Sequence, residues 1–126
     1  MLGDHDVGAT LAVSDFEASR KFYEDTLGLT AAMAMEGAAI YRSGSSRLLV
    51  YQSEYAATNK ATAATWAVGD QLDAVLDELR RNGVTFERYD DLPGATREGD
   101  IHTIGDMRGV WFKDPDGNIL SIVDQQ

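Results

Sequence analysis

Cysteine is absent, which removes disulfides, zinc–thiolate centres and thiol nucleophiles from consideration. That composition suits a reducing compartment, so a cytoplasmic location is expected. Long apolar runs are also absent. None approaches the roughly 20 residues a membrane helix needs, and no membrane association is expected. The opening Met1-Leu2-Gly3-Asp4-His5-Asp6 is acidic and polar, unlike a signal or transit peptide. Positive charge is scarce, with 11 Lys and Arg against 21 Asp and Glu and a formal net charge of −10. Nucleic acid is therefore not expected as a partner, because phosphate binding needs clustered Lys and Arg. The acidic field would draw a cationic ligand, although an acidic surface also simply keeps a chain in solution. Histidine is nearly missing too, with only His5 and His102.

What the chain does have is a repeat. Ala9-Thr10-Leu11-Ala12-Val13-Ser14-Asp15 returns as Ala64-Thr65-Trp66-Ala67-Val68-Gly69-Asp70, and the same offset pairs Gly28 with Gly83 and Thr30 with Thr85. At 126 residues and 44% hydrophobic, the chain has the size of one domain, 1–126, and the material for one core. The repeat therefore reads as two halves of one domain. Each is too small to bury its own apolar face, so it packs on the other half or on a second chain.

Residues 7–13 alternate like a strand. Ser14-Asp15 offers a cap, and Phe16, Ser19, Phe22, Tyr23 and Leu27 recur at helical spacing up to Gly28, where a left-handed residue ends the helix. Three strands follow at 29–35, 37–42 and 47–52, with Gly44-Ser45-Ser46 as a hairpin turn. Residues 53–62 form a polar connector. The second copy reads as strand 63–68, a cap at Gly69-Asp70, helix 71–82 with Leu72, Val75, Leu76 and Leu79 buried, then strand 84–89. Residues 90–106, rich in Gly, Asp and Thr and containing Pro93, read as a long loop able to cover a site. Strands 108–113 and 119–124 close the chain around Asp114-Pro115-Asp116-Gly117-Asn118. In that turn Pro fixes φ and Gly supplies a positive φ, and its carboxylates are expected to be solvated.

Phe22-Tyr23-Glu24-Asp25-Thr26-Leu27-Gly28-Leu29 and Phe112-Lys113-Asp114-Pro115-Asp116-Gly117-Asn118, placed in this duplicated frame, resemble the vicinal oxygen chelate superfamily of glyoxalases, bleomycin resistance proteins and dioxygenases. The resemblance covers nearly the whole chain. It implies an α+β fold in which two βαβββ modules, about 5–52 and 63–126, curl into a half-barrel around a cavity. The facing modules come from one chain or from two chains of a homodimer, and both arrangements stay open.

Metal-dependent members of that family place His, Glu or Gln ligands on the first and last strand of each module. Carried onto this sequence, those places are Gly8, Leu49 or Val50, Ala63 and Ser121, none of them a credible ligand. No cofactor, no metal site and no catalytic residue is therefore expected. His5 and His102 have no ligand spacing between them, and Ser121 has no identifiable base. Strand alternation turns Gly8, Thr10 and Ala12, with Ala63, Thr65 and Ala67, toward the cavity, and Arg47, Leu49 and Tyr51 share one face. Tyr41 and Trp111 are candidate aromatic walls, Ser121 a hydrogen-bonding wall residue, and His102 and Met107 lie near the mouth. Trp66 should pack on the helix side. The expected ligand-binding set is Thr10, Tyr41, Arg47, Leu49, Tyr51, Thr65, His102, Met107, Trp111 and Ser121. Such a pocket suits a flat or aromatic molecule. The expectation is a metal-independent protein that sequesters an aromatic or cationic natural product; the competing expectation is a lyase, isomerase or dioxygenase of the same superfamily.

Overall fold

The alternating segments form strands whose inward residues are large and apolar. The structure is a computed structural model and describes residues 1–125. In the first module, β1 (Ala9–Val13) leads into α1 (Phe16–Lys21), and β2 (Thr30–Met35), β3 (Ala38–Ser43) and β4 (Ser46–Gln52) follow. The sheet order is β1-β4-β3-β2, with β1 and β4 parallel. The second module runs β5 (Thr62–Ala67), α2 (Leu72–Arg81), β6 (Ala95–Glu98), β7 (Ile101–Ile104), β8 (Met107–Lys113) and β9 (Ile119–Val123). Its order is β5-β9-β8-β7-β6, again with the first and last strands parallel. The duplication thus repeats a topology in which the opening strand lies beside the closing one.

The helices follow their local signals unevenly. Asp15 caps α1 by accepting from the Ala18 N–H at 3.3 Å. After Lys21 the helix widens to one π turn, closed by Leu27 N–H donating to the Phe22 carbonyl, and Gly28 follows at φ +74°. Its counterpart Gly83 sits at φ +93°. Asp70 does not cap α2. A 3₁₀ turn over Gly69–Gln71 intervenes, Gly69 itself has φ +58°, and α2 starts without a side-chain cap. This turn is where the two copies diverge.

The expected loop over 90–106 is instead largely a hairpin. β6 pairs with β7 from Ala95↔Ile104 to Glu98↔Ile101, and β7 pairs with β8 from His102↔Gly109 to Ile104↔Met107. Two-residue turns, Gly99-Asp100 and Gly105-Asp106, make both reversals, with the glycines at φ +61° and +62°. The expected strand over 84–89 pairs only at Phe86, which bridges Phe112, while Glu87 N–H donates to the Trp111 carbonyl at 2.8 Å. The lane beside β8 is therefore shared: the Phe86 segment borders one end of β8 and β7 borders the other.

One apolar cluster spans both modules. β1 gives Leu11 and Val13, β3 Tyr41, β4 Leu48 and Val50, β8 Val110 and Phe112, and β9 Leu120 and Ile122. Phe16 and Tyr23 cover them from the first module, and Leu72, Leu76 and Leu79 from α2. Each such side chain contributes about 1.5–3 kcal/mol when fully buried.

The turn after β8 joins the modules. Asp114 is 5% exposed, contrary to the expectation of a solvated turn carboxylate. It accepts from the Tyr23 hydroxyl at 2.6 Å, the Asn118 N–H and side-chain amide at 2.8 Å, and the Asp116 N–H at 3.0 Å. Asn118 also donates to the Ala12 carbonyl of β1 at 2.9 Å, and Asp116 accepts from Ser14 N–H at 3.0 Å. Burial, then the neighbouring Asp114 charge, pushes the Tyr23 phenol well above its usual range.

Tyr23→Phe should leave Asp114 short of its one hydroxyl donor and cost about 1–3 kcal/mol in urea unfolding at neutral pH. The pH dependence has a definite sign. The folded protein keeps the Tyr23 proton while the unfolded chain releases it above about pH 10. Stability is therefore full below that pH and falls above it, by about 1.4 kcal/mol per pH unit for each such tyrosine. The Phe variant should lose less stability between pH 9 and 11 than the parent, within about one such slope.

Candidate functional site

The core occupies one face of each sheet, and the opposite faces are open. In the first sheet the register lines up Thr10, Leu49, Ile40 and Met33 in one row, and Ala12, Tyr51, Ala38 and Met35 in the next. Met33 is 56% and Met35 48% exposed. In the second sheet the rows are Thr65, Ser121 and Trp111, then Ala67, Val123, Gly109 and His102. The edge strands β1 and β5 lie next to each other, so the two sheets meet along a seam. A cavity of ≈ 250 Å³ opens there, between Thr10, Ala12, Tyr51 and Ala63 and the connector residues Tyr55 and Asn59.

The second sheet carries an aromatic cluster. Trp111 reaches back across the sheet, its indole N–H donating to Thr62 Oγ1 at 3.1 Å. His102 packs edge-on to it at 4.9 Å between ring centres, and Tyr89 lies 5.5 Å from Trp111 and 5.8 Å from His102. The Tyr89 N–H donates to His102 Nε2 at 2.9 Å. That nitrogen must then be unprotonated, which leaves the ring hydrogen on Nδ1. His102 is 1% exposed, and its Nδ1 has no hydrogen-bond partner among the described residues. Burial, followed by the charge of Glu87, pushes the Tyr89 phenol up. Tyr89 was absent from the expected set. Its signal was alternation: Phe86 points into the core, so Glu87 and Tyr89 fall on the open face.

The other expected residues distribute as follows. Thr10, Leu49 and Tyr51 share the open face of the first sheet. Thr65, Ser121, Trp111 and His102 share that of the second, but Ser121 and His102 are buried there, a correction to their expected place at the cavity wall and mouth, because neighbouring side chains cover them. Arg47 and Thr65 line a cleft of ≈ 170 Å³ with Ala9 and Ala64. Met107 is half-buried at the β7–β8 turn, opposite Ile104. Tyr41 is a correction. It is fully buried on the helix side of β3, stacked on Tyr23 at 6.1 Å, and cannot wall an open face. Its hydroxyl donates to Glu24 at 2.8 Å, and Arg20 Nε holds the same carboxylate oxygen at 2.9 Å. The Arg20 hydrogen bond keeps the Glu24 carboxyl below its usual range, and burial pushes the Tyr41 phenol up. Trp66 packs on the helix side, its N–H donating to Ser43 Oγ at 2.8 Å, beside an apolar cleft of ≈ 250 Å³ that includes Leu27, Val75 and Leu79.

Residues 7–122 match the family model of the Glyoxalase/Bleomycin resistance protein/Dioxygenase superfamily. The chain belongs to that superfamily. It is 26% identical over 120 residues, 89% of this chain and 78% of the other, to virulence protein STM3117 of Salmonella typhimurium strain LT2. Among solved structures it superposes on a bleomycin-binding protein complexed with bleomycin at a TM-score of 0.72, with 18% identity, 97% of this chain and 99% of that one. It also superposes on the oxidase ChaP-H1 at a TM-score of 0.67, with 26% identity and 94% of both chains. Similarity thus runs to a binding protein and to an enzyme.

The metal that this superfamily implies can be tested against the side chains. At the four ligand places stand Gly8, Leu49, Ala63 and Ser121. Val50 is buried in the core, so Leu49 is the open-face residue of β4. A Cβ built on Gly8 would lie 2.9 Å from the Arg47 carbonyl oxygen, a backbone atom that cannot swing aside. No three His, Asp or Glu side chains converge among the described residues. His5 lies exposed in a cleft with Asp6 and Arg47, whereas His102 is buried in the second sheet. These residues do not fit a superfamily-type metal centre.

Gly8→Ala should force β1 away from β4 and cost about 1–3 kcal/mol, as overpacking does. A thermal melt of the variant checks it, and an unchanged Tm contradicts the close approach.

Proposed function

We propose that this superfamily member is a metal-independent binding protein that sequesters a flat aromatic or cationic natural product and releases it unchanged. The observation that carries the reading is the set Gly8, Leu49, Ala63 and Ser121 at the metal-ligand places, with β1 and β4 too close at Gly8 for any side chain. Sequestration needs affinity and no reaction. Trp111 and Tyr89, backed by the buried His102, offer an aromatic wall, Thr10 and Thr65 offer hydroxyls, and Leu49 and Tyr51 offer apolar surface. The bleomycin-binding protein of the same fold gives the precedent. The net charge of −10 favours a cationic group on the ligand. Exposed Met33 and Met35 on the edge strand β2 suit a homodimer in which that edge is covered while Leu49 and Tyr51 stay open. A cytoplasmic location agrees with the absence of cysteine.

A second reading is an enzyme acting on a small organic metabolite, and the 26% identity to an oxidase favours it. The two separate in one experiment. Chelator-dialysed protein is titrated with bleomycin and with planar cationic antibiotics, following Trp fluorescence and heat. Stoichiometric binding is expected, with the ligand recovered intact by mass spectrometry and no change on adding Zn²⁺, Fe²⁺ or Mn²⁺. Turnover or metal dependence would overturn sequestration. Trp111→Ala should weaken binding by about tenfold or more, as loss of a central aromatic anchor does, while Trp66→Phe should leave it unchanged.

A further inference from the structure

Charge in this chain is lopsided, and most of its cations are held. Arg20, Arg80, Arg88, Arg97, Arg108 and Lys113 each lie within 4.0 Å of a carboxylate. Lys21, Arg42, Arg47, Lys60 and Arg81 do not, among the described residues, although acidic groups outnumber basic ones 21 to 11, and of these five only Arg42 and Arg47 are paired with each other across a sheet. The two arginines are direct cross-strand partners in β3 and β4. Like charges so placed repel. They stand one register step beyond the Leu49–Ile40 pair, so they share its open face, because Tyr41 and Leu48 beside them point into the core. Both are exposed. On the β1 side, Gly8 presents no side chain to cover Arg47, and a cleft of ≈ 470 Å³ lies there among His5, Asp6, Gly8, Ser46 and Arg47, with Asp6 farther than 4.0 Å from the guanidinium. Among the described residues Arg47 makes one side-chain bond, at 3.3 Å to the Ser46 carbonyl, which leaves most of its fork free.

A repelling pair left unneutralised in an acidic protein has a use if an anion completes it. Guanidinium forks match carboxylate geometry, and charge-assisted bonds are the stronger kind. The next rows, Ile40, Leu49 and Met33, then Tyr51 and Met35, continue the same face as apolar surface. We infer that Arg42 and Arg47 form an anion subsite for a small aromatic carboxylate, whose ring lies over Ile40 and Leu49 while its carboxylate is held by the two guanidiniums. This rests on the reading that the open face binds a small organic molecule, and it names the acidic group that such a ligand carries, whether or not the ligand is also cationic elsewhere.

The test uses 2-naphthoate and its uncharged analogue 2-naphthamide, titrated into the full chain by calorimetry. Naphthoate should bind at least about tenfold tighter than the amide, the usual worth of hydrogen bonds to a charged group. Added salt should weaken the acid and leave the amide unchanged. In Arg42→Gln/Arg47→Gln the preference should vanish while the protein melts no lower than the parent, since the repelling pair is gone. Arg81→Gln, an exposed cation on α2, is the control and should keep the preference. Equal affinity for acid and amide, no binding of either, or a preference that survives the double substitution or falls equally in the control overturns the inference. So does an oligomer that dissociates in the double variant, because the arginines would then serve an interface between copies. Binding of bleomycin through Trp111 is measured separately, so loss of this subsite and loss of the sequestration reading are told apart.

Discussion

A buried carboxylate with a full set of donors holds this protein together. Asp114 lies in a turn of the second module, yet its hydroxyl donor is Tyr23, at the end of the first module's helix. Alone in the core, such a charge would cost several kcal/mol. Here both oxygens are shared among the turn's own N–H groups, the Asn118 amide and the tyrosine. Asn118 then holds the Ala12 carbonyl, and Asp116 holds Ser14. The β8–β9 turn is thereby fastened to both ends of the β1–α1 corner. The closing strand β9 starts from that turn, so the position of Ser121 beside Thr65 depends on it.

The seam between the modules explains the small residues on the opening strands. β1 and β5 are edge strands lying side by side, and their open-face positions Ala12 and Ala63 line the seam cavity. Gly8 is set by a different constraint, the Arg47 carbonyl, which leaves no room for a Cβ. A ligating side chain at Gly8 would need β1 and β4 to separate. The replacement of metal-ligand types at the four places is thus more than a change of side chains. At one of them the backbone spacing itself excludes a ligand.

Much of the architecture was legible because it depends on periodicity. The strand repeats, the glycines ending both helices, the hairpin at Gly44 and the helix-side placement of Trp66 follow from alternation and from residues that tolerate positive φ. The β6–β7 hairpin was hidden by its polarity, although the repeated Gly-Asp pairs at 99–100 and 105–106 are the signal of two-residue turns. The Asp114 clamp was illegible for another reason: its partner is distant in the chain, and no local pattern shows that a turn carboxylate will be buried. Of the site, phase placed Thr10, Leu49, Tyr51, Thr65, Trp111 and Ser121 on open faces. Tyr41 has no legible phase in the sequence because both faces of its strand are apolar, Ala38 and Ile40 on one and Ala39 and Tyr41 on the other, and only the stacking on Tyr23 shows which face is inward. His102 lies in a polar stretch that reads as loop, and its contact with Tyr89 depends on a segment that pairs with β8 at a single bridge.

The acidic surface and the free arginine pair act over different distances, so they need not conflict. At physiological ionic strength exposed charges are screened beyond about 8 Å. The net charge of −10 therefore biases approach, favouring ligands with a positive group, without deciding which atoms meet the protein at contact. Over shorter distances the local charge dominates, and at Arg42 and Arg47, direct cross-strand partners without an ion-pair carboxylate among the described residues, that charge is positive. A molecule with an aromatic body, a cationic periphery and one acidic oxygen group would satisfy both. The open faces carry two distinct features, the Trp111–Tyr89–His102 cluster on the second sheet and the guanidinium pair at the far end of the first. The β1–β5 seam lies between them, so a single molecule touching both would have to cross it.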